Sequence, residues 1–381
     1  MPEWLTSSEA QARLGVRPQT LYAYVSRGRI EARADGGDPR KSLYRAEDVD
    51  RLSIRKVRGR KAALVAEDAI AWGEPVLASA ITTVRHGRLY YRGRDAAALA
   101  ETETLEGVAR LLRGGDGVAL KRRRADPPPV AASGRARVFA AMAARAGADA
   151  PARGRSPMAL AAEAVTLLNL FADAVAGQTG EGAIHTRLAA AWSQDAAGAD
   201  LIRRVLVLLA DHELNASTFA ARVAASTGAS LAASALAGLS ALSGPLHGGM
   251  AARVQAFMLE AERLGAEAAV AGRLALSQPI PGFGHPLYPG GDPRARNLLE
   301  AFEPPPVFEA VRRATEAATG QIANVDYALT GLVAAQSLPE DAAFLLFATG
   351  RCAGWLAHAL EQVQTGHLIR PRARYTGPAL D

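Results

Sequence analysis

Three of the seven histidines lie in local settings that suit acid–base or polarising chemistry. His212 follows Asp211 between two helical segments. His247 lies in a Gly/Pro turn directly before a helix, where the helix dipole disfavours protonation of the imidazole, and His285 lies in the Gly/Pro-rich loop 281–288. Taken singly, each is better interpreted as a structural histidine bonded to backbone. Because no histidine or cysteine group has metal-ligand spacing, we expect no metal site.

Together with further motifs, these histidines form an ordered series along residues 81–378. The other motifs are Gly87-Arg88-Leu89-Tyr90-Tyr91-Arg92-Gly93, Asn324-Val325-Asp326-Tyr327, Gly350-Arg351-x-x-Gly354-Trp355-x-x-His358 and Arg370-Pro371-Arg372-x-x-Tyr375-x-Gly377. In this order they resemble the citrate synthase family. The resemblance implies an acyltransferase that condenses acetyl-CoA or propionyl-CoA with oxaloacetate, releasing citrate or 2-methylcitrate and CoA.

The resemblance also implies a role for each site residue. Asp326 would be the base that removes the methyl proton, His247 would hydrogen-bond the thioester oxygen, and His285 would polarise the keto oxygen of oxaloacetate. The CoA thioester would be a substrate, and no cofactor is expected. The substrate-binding residues that the family pattern implies are His212, Arg294, Arg351 and Arg370, of which Arg370 would be shared across a homodimer.

Two alternatives to this synthase remain at the level of sequence. The same residues would serve the reverse cleavage of citryl-CoA, and a regulator could use the arginines to sense oxaloacetate, citrate or an acyl-CoA. The loop after His285 also departs from the family pattern, because Pro286-Leu287-Tyr288 replaces the frequent Arg-Val-Tyr. That change leaves the affinity for CoA and the preferred acyl chain open.

The N-terminal 61 residues hold 14 basic and 8 acidic side chains, whereas the other 320 hold 30 of each. Thr6 and Glu9 have capping-box spacing, Gly15 is a helix stop, and a second helix begins near Pro18. Residues 4–52 resemble the helix-turn-helix of MerR-type regulators and excisionases, with a wing near residues 33–44. The resemblance implies DNA binding, although such a module also serves protein contacts or dimerisation. The predicted DNA-contacting residues are Arg17, Gln19, Thr20, Tyr22, Arg27, Arg29, Arg40 and Lys41.

The rest of the chain predicts an all-α fold of citrate synthase type. Ala/Leu-rich stretches with helical spacing cover residues 158–175, 199–209, 215–242, 250–264 and 341–364, and strand patterns are confined to 81–84 and 88–91. The predicted domains are residues 1–61 (helix-turn-helix and basic linker), 62–249 with 331–381 (large domain) and 250–330 (small domain).

Composition sets the remaining expectations. With 49% hydrophobic and 22% charged residues among 381, a mainly disordered protein is excluded. The lone Cys352 and the absence of a signal-peptide pattern favour a cytoplasmic protein. Residues 223–252 carry no Asp, Glu, Lys or Arg, but their Ala, Ser and Gly content favours a buried helix over a membrane span.

Overall fold

The computed structural model describes residues 4–26, 30–35, 38, 41–50, 77–115, 133–373 and 375–378. The chain forms two compact units, Met1–Ala78 and Ser79–Asp381. The first contains the helices Ser7–Leu14 and Pro18–Ser26, helical residues 46–50, and a three-stranded antiparallel sheet. The strands of this sheet, in spatial order, are Trp4–Leu5, Ser42–Arg45 and Ala32–Ala34.

Local sequence signals account for this first unit. The Thr6 hydroxyl accepts the Glu9 N–H, while the Glu9 carboxylate accepts the Thr6 N–H at 2.8 Å, so the predicted capping box is confirmed. Gly15 ends the first helix with φ +59°, a conformation that favours glycine. The two strands that flank residues 35–41 pair as a hairpin, which confirms the wing. Leu14, Leu21 and apolar residues of the other elements, except the exposed strand Ala32–Ala34, form a small core.

The second unit is mainly helical, as predicted. A sheet of the strands Thr82–Arg85, Arg88–Tyr91 and Arg94–Asp95 opens it. Its helices are Ala96–Thr102, Leu105–Leu112, Gly134–Ala148, Pro157–Ala176, Ile184–Ala191, Ala196–Leu208, Ala216–Ser226, Leu231–Leu242, Met250–Leu264, Ala266–Ala275, Pro293–Leu299, Pro306–Thr319, Val325–Ala335 and Ala342–Thr365.

One predicted helix, residues 215–242, is divided in two. Gly228 adopts φ +86°, and the Ser230 hydroxyl accepts the Ala233 N–H at 3.2 Å, so a new helix begins after Ser230. The helix Leu231–Leu242 packs in the core through Leu231, Leu239 and Leu242. The prediction of a single helix was therefore wrong, whereas burial of the charge-free stretch is confirmed for this part.

The longest helix, Ala342–Thr365, brings distant segments of the site together. A Cβ on Gly350 would lie 2.9 Å from the Leu206 carbonyl oxygen, and one on Gly354 would lie 2.5 Å from that of Ala210. The chain that ends the helix Ala196–Leu208 therefore approaches this helix closely because both positions lack side chains. The Gly354 N–H also donates to the Ala210 carbonyl at 3.0 Å.

Two separate hydrophobic cores lie within the second unit. The larger one collects residues from Ile81 to Ala251 and from Ala295 to Leu360. The smaller one lies between residues 254 and 327 and contains Val254, Phe257, Met258, Ala261, Ala266, Ala269, Val270, Ile280, Phe283, Phe308, Val311, Ala323 and Tyr327. The exact limits of a large and a small domain stay a prediction.

Two helices of the described chain, Pro157–Ala176 and Ala342–Thr365, have the length and apolar composition of a membrane span. In these helices 61% and 100% of the most apolar window is buried within the protein. Such burial is typical of core helices, so their length and composition are weak evidence for a membrane.

Candidate active site

His247 lies in a tight turn that leads into the helix Met250–Leu264, where the sequence placed it. Its Nε2 is 2.9 Å from Ser217 Oγ. That hydroxyl accepts the Trp355 indole N–H at 3.1 Å and is 2.7 Å from Asn215 Oδ1. The single Ser217 proton therefore goes either to Asn215 or to His247. Since Nε2 is occupied, Nδ1 is the ring nitrogen left to meet a substrate.

His285 presents a defined hydrogen-bond donor. Its Nδ1 accepts the Leu287 N–H at 3.2 Å, so the proton of the neutral ring resides on Nε2. Burial, assisted by the positive charge of Arg294, lowers the pKa of His285 to about 4. Burial and the charge of Arg351 likewise lower the pKa of His247 to about 4. Both imidazoles are therefore neutral at pH 7.

Asp326 lies in the first turn of the helix Val325–Ala335. Asn324 caps this helix, because its Oδ1 accepts the Asp326 N–H at 3.0 Å. The Asn324 side-chain amide also donates to the Gly284 carbonyl at 3.0 Å, which joins the base to the His285 loop. Burial raises the pKa of Asp326 to about 6, against the lowering effect of Arg294 and Arg351.

Arg294 is held by Asp292, two residues before it. The carboxylate accepts Nε at 2.9 Å and Nη2 at 2.8 Å, and it also accepts the Val325 N–H at 3.1 Å. Burial lowers the pKa of Arg294, but the charge of Asp292 outweighs it and raises the pKa overall. Arg294 is therefore positively charged at neutral pH, and its Nη1 takes no part in the pair with Asp292. Asp292 also links Arg294 to the helix Val325–Ala335, which carries Asp326.

Arg351 is a nearly fully buried cation on the helix Ala342–Thr365, with 1% of the residue's surface exposed. Its Nε donates to the Leu209 carbonyl at 3.0 Å, while its Nη2 is buried without a hydrogen-bond partner. Burial lowers the pKa of Arg351 to about 10, so the group is still charged at pH 7. A buried guanidinium nitrogen without a partner suits an anionic ligand.

His212 is buried next to the same groups. Its ring centroid is 5.3 Å from that of His285, and its Nε2 is 2.8 Å from the Tyr288 hydroxyl. Burial, together with the charges of Arg294 and Arg351, lowers the pKa of His212 well below its usual value. The structure thus brings together six predicted site residues, namely His212, His247, His285, Arg294, Asp326 and Arg351.

Arg370, the seventh, is exposed on the segment that follows the helix Ala342–Thr365. Its sharing across a dimer stays a prediction.

Sequence reasoning missed Ser217, Tyr288 and Asp292, each of which bonds a predicted residue. It also gave no role to His358, whose Nε2 lies 3.1 Å from Asp211 Oδ2 and whose Nδ1 lies 3.0 Å from an Arg222 nitrogen. This buried group anchors the backbone that leads into His212.

Among the described residues, no cluster of three or more His, Cys, Asp or Glu side chains is placed to hold a metal ion.

Two cavities border these residues. One, of about 220 Å³, is lined by Gly284, His285, Gln321 and Asn324 among others. The other, of about 460 Å³, lies between the hairpin turn at His86 and the helix Pro293–Leu299, with Arg294 in its wall. The first cavity thus borders the predicted catalytic residue His285, and the second borders the predicted substrate-binding residue Arg294.

In the first unit, the predicted base-reading residues Gln19, Thr20 and Tyr22 are exposed on the helix Pro18–Ser26, with Tyr22 58% accessible. Arg17 is exposed just before this helix, and Lys41 pairs with Asp38 at 3.4 Å. The other three predicted DNA contacts, Arg27, Arg29 and Arg40, lie outside the described residues.

Comparisons with curated proteins find relatives that are named as citrate or 2-methylcitrate synthases. Putative citrate synthase 2 of Mycobacterium bovis is 41% identical over 185 residues, which are 45% of this chain and 50% of that protein. Citrate synthase 2 of Bacillus subtilis is 38% identical over 190 residues (47% and 51%). 2-Methylcitrate synthase 2 of Corynebacterium glutamicum is 34% identical over 183 residues (45% and 48%). The chain spans about half the length of the curated relatives it matches.

Solved structures match over more of the chain. Citrate synthase from Thermotoga maritima has a TM-score of 0.66 and 27% identity, covering 80% of this chain and 94% of that one. Citrate synthase from Thermoplasma acidophilum, in a ternary complex with carboxymethyl coenzyme A and oxaloacetate, has a TM-score of 0.67 and 23% identity. The match covers 81% of this chain and 95% of that one, and it supports the fold alone. A family model described as "Helix-turn-helix domain" matches residues 4–52. A second one, described as "Citrate synthase, C-terminal domain", matches residues 70–372, most of the second unit, and the chain therefore belongs to the citrate synthase family.

Proposed function

We propose that this protein condenses an acyl-CoA thioester, acetyl-CoA or propionyl-CoA, with oxaloacetate and releases citrate or 2-methylcitrate and CoA. The observation that carries the proposal is Asp326, a carboxylate whose pKa is raised by burial to about 6 beside two buried arginines. Such a group is ionised at pH 7 and is a stronger base than an ordinary aspartate. The 2-methylcitrate synthase among the relatives supports keeping propionyl-CoA as a candidate.

In the first step, Asp326 removes a proton from the carbon next to the thioester carbonyl. The thioester oxygen then gains negative charge, and His247 stabilises it by donating a hydrogen bond from Nδ1. This donation requires the Ser217 proton to point to His247 Nε2 rather than to Asn215, because a neutral imidazole carries one proton. Ser217 therefore decides whether His247 can act.

In the second step, the new carbon nucleophile attacks the keto carbon of oxaloacetate. His285 donates a hydrogen bond from Nε2 to the keto oxygen as that oxygen becomes an alkoxide. The alkoxide then takes the Nε2 proton of His285, which is reprotonated from solvent, while Asp326 releases to solvent the proton that it removed. The two carboxylates of oxaloacetate bind to Arg294 and Arg351, with His212 as a further contact. Water finally hydrolyses the citryl thioester and frees CoA. The CoA thioester is consumed as a substrate, and we propose no additional cofactor.

We also propose that the enzyme is a cytoplasmic homodimer in which Arg370 reaches the oxaloacetate site of the neighbouring subunit. The exposure of Arg370 beyond the last helix is compatible with such a contact. The burial of Cys352, the lone cysteine, is compatible with a reducing compartment. Mixed dimers of Arg370→Ala and Asp326→Ala chains test the shared site, since one site per mixed dimer would regain both groups.

The direct test is thiol release from acetyl-CoA and from propionyl-CoA with oxaloacetate, using the full-length protein. We expect turnover with at least one thioester and none in Asp326→Ala, which should still bind oxaloacetate in calorimetry. The ratio of the two rates identifies the acyl chain. Citryl-CoA cleavage in the same assay tests the reverse reaction. Oxaloacetate binding without any turnover would refute the synthase and favour a metabolite-sensing regulator.

A second candidate function, DNA binding, is favoured by the exposed Gln19, Thr20 and Tyr22 on the second helix of a winged helix-turn-helix. Residues 1–50 hold eight basic and eight acidic side chains, so the positive excess lies within residues 51–61. We therefore expect phosphate attraction to depend on that basic linker. Fluorescence anisotropy with duplex DNA at several salt concentrations tests this, and affinity that does not change with salt would argue against it.

A further inference from the structure

Tyr288 joins two segments of the site that are distant in sequence. It belongs to the loop between His285 and the helix Pro293–Leu299, which follows Phe283 of the smaller core. Its hydroxyl lies 2.8 Å from Nε2 of His212, which follows the helix Ala196–Leu208 of the larger core. Its ring also lies against His285, with centroids 4.9 Å apart. A single side chain thus touches two of the proposed site histidines.

The loop holds this tyrosine in a fixed position. The Tyr288 N–H donates to the His285 carbonyl at 2.9 Å, and the Gly291 N–H donates to the Tyr288 carbonyl at 2.9 Å. Only 2% of the Tyr288 surface is exposed, and the Arg294 guanidinium lies 5.5 Å from its ring centroid. Two successive turns and two aromatic contacts therefore fix the direction of the hydroxyl group.

The hydrogen bond between Tyr288 and His212 has a direction that can be deduced. A buried hydroxyl needs an acceptor for its proton, and among the described residues the acceptor within reach of the Tyr288 hydroxyl is Nε2 of His212. If Tyr288 donates to Nε2, the single proton of the neutral His212 ring must be on Nδ1. We propose that Tyr288 is a positioning residue that keeps His212 in the Nδ1–H form, so that His212 meets oxaloacetate as a hydrogen-bond donor.

The direction matters because oxaloacetate, with a keto group and two carboxylates, offers only acceptors to the site. A neutral histidine with its acceptor nitrogen towards this ligand would repel it, whereas the Nδ1–H form attracts it. This inference rests on the proposed function for its ligand. The state of His212 in the free protein does not depend on that function, and it can be measured without substrate.

The variant Tyr288→Phe removes the hydroxyl and keeps the ring contacts with His285. We expect the KM for oxaloacetate to rise about tenfold, while kcat changes by less than about twofold, because the lost group acts on binding. Tyr90→Phe is the matched control, since Tyr90 is a half-buried tyrosine on the strand Arg88–Tyr91. An unchanged KM in Tyr288→Phe, or an equal change in Tyr90→Phe, would overturn the proposal.

A second measurement reads the proton directly. Long-range ¹H–¹⁵N spectra of the full-length protein labelled on histidine distinguish the two neutral forms, and His212→Asn assigns the signal. We expect the Nδ1–H pattern in the wild-type protein and a mixture of both forms in Tyr288→Phe. An Nε2–H pattern in the wild type, or identical spectra in both proteins, would overturn the proposal. If no thioester is turned over, the proposed function fails while these spectra still decide the role of Tyr288.

Discussion

Replacing Asp326 by asparagine should inactivate the protein and make it more stable. Burial raises the pKa of Asp326 from the ordinary 3.8 to about 6, a difference of about 2 pKa units. At about 1.4 kcal/mol per unit, the ionised carboxylate would cost the folded state about 3 kcal/mol. Because Asp326 keeps partial contact with solvent, we expect roughly half of this figure, about 1–2 kcal/mol, to be measurable. Asparagine has nearly the same shape and no charge, so it removes this cost.

The sign of the effect depends on pH. A carboxyl with a raised pKa contributes its stability fully below 3.8, and the contribution is lost as the pH rises through about 6. The variant should therefore match the wild type near pH 3.5, if both are folded there, and exceed it at pH 7.5. Thermal unfolding followed by circular dichroism across this range should show a gain of a few degrees at pH 7.5.

Asp292→Asn is the matched control of opposite sign. Burial opposes the ionisation of Asp292, but the adjacent Arg294 outweighs it and lowers the pKa of Asp292. Losing this carboxylate leaves a buried arginine unpaired, so the control should be less stable than the wild type at pH 7.5. If Asp326→Asn also unfolds more easily at pH 7.5, the argument from burial is wrong. If it keeps near-normal thiol release, Asp326 is not the base.

Three further perturbations test how the site is supported. Ser217→Ala should lower kcat about tenfold to a hundredfold in the thiol assay, because His247 loses the partner of its Nε2; unchanged kcat would refute this. Gly354→Ala should reduce the melting temperature strongly, since its Cβ would lie 2.5 Å from the Ala210 carbonyl oxygen, and a normal melting curve would contradict that packing. Deleting residues 1–61 should leave kcat and KM unchanged if this segment is an addition to the enzyme, whereas lost activity would mean that it supports the dimer or the site.

Much of the fold follows from local sequence signals. The capping box at Thr6, the glycine stop at Gly15 and the long apolar periodic segments predict elements that the structure contains. The division of residues 215–242 was missed because their Ala/Ser-rich composition hides a second capping residue, Ser230, behind continuous helical spacing. Local signals thus predict that helices exist more reliably than where they are interrupted.

The site shows a sharper limit. Its predicted members came from family motifs, whereas the residues that orient them depend on long-range contacts. Ser217 meets His247 from 30 residues away and Trp355 from 138 residues away, and no spacing rule connects these positions. Asp292 was within reach of sequence reasoning, since an aspartate before Pro-Arg is a typical helix cap, and it does cap the helix Pro293–Leu299.

The charges of the site also predict how the first substrate prepares the second step. Arg294 and Arg351 both lower the pKa of Asp326, yet these are the cations that we expect to bind the carboxylates of oxaloacetate. A bound dianion would offset their positive charge, so the pKa of Asp326 should rise above about 6 and the carboxylate should become a stronger base when oxaloacetate is present.

Infrared difference titration of the wild type against Asp326→Asn isolates the band of this one carboxyl group. We expect its midpoint to move to higher pH when oxaloacetate is added, and to stay in place when acetate is added at the same ionic strength. A midpoint that is unchanged or lower with oxaloacetate would mean that the dianion does not bind beside these arginines. A rise would explain in electrostatic terms why proton removal from the thioester should wait for oxaloacetate, since the base reaches its full strength only after the two arginines are neutralised.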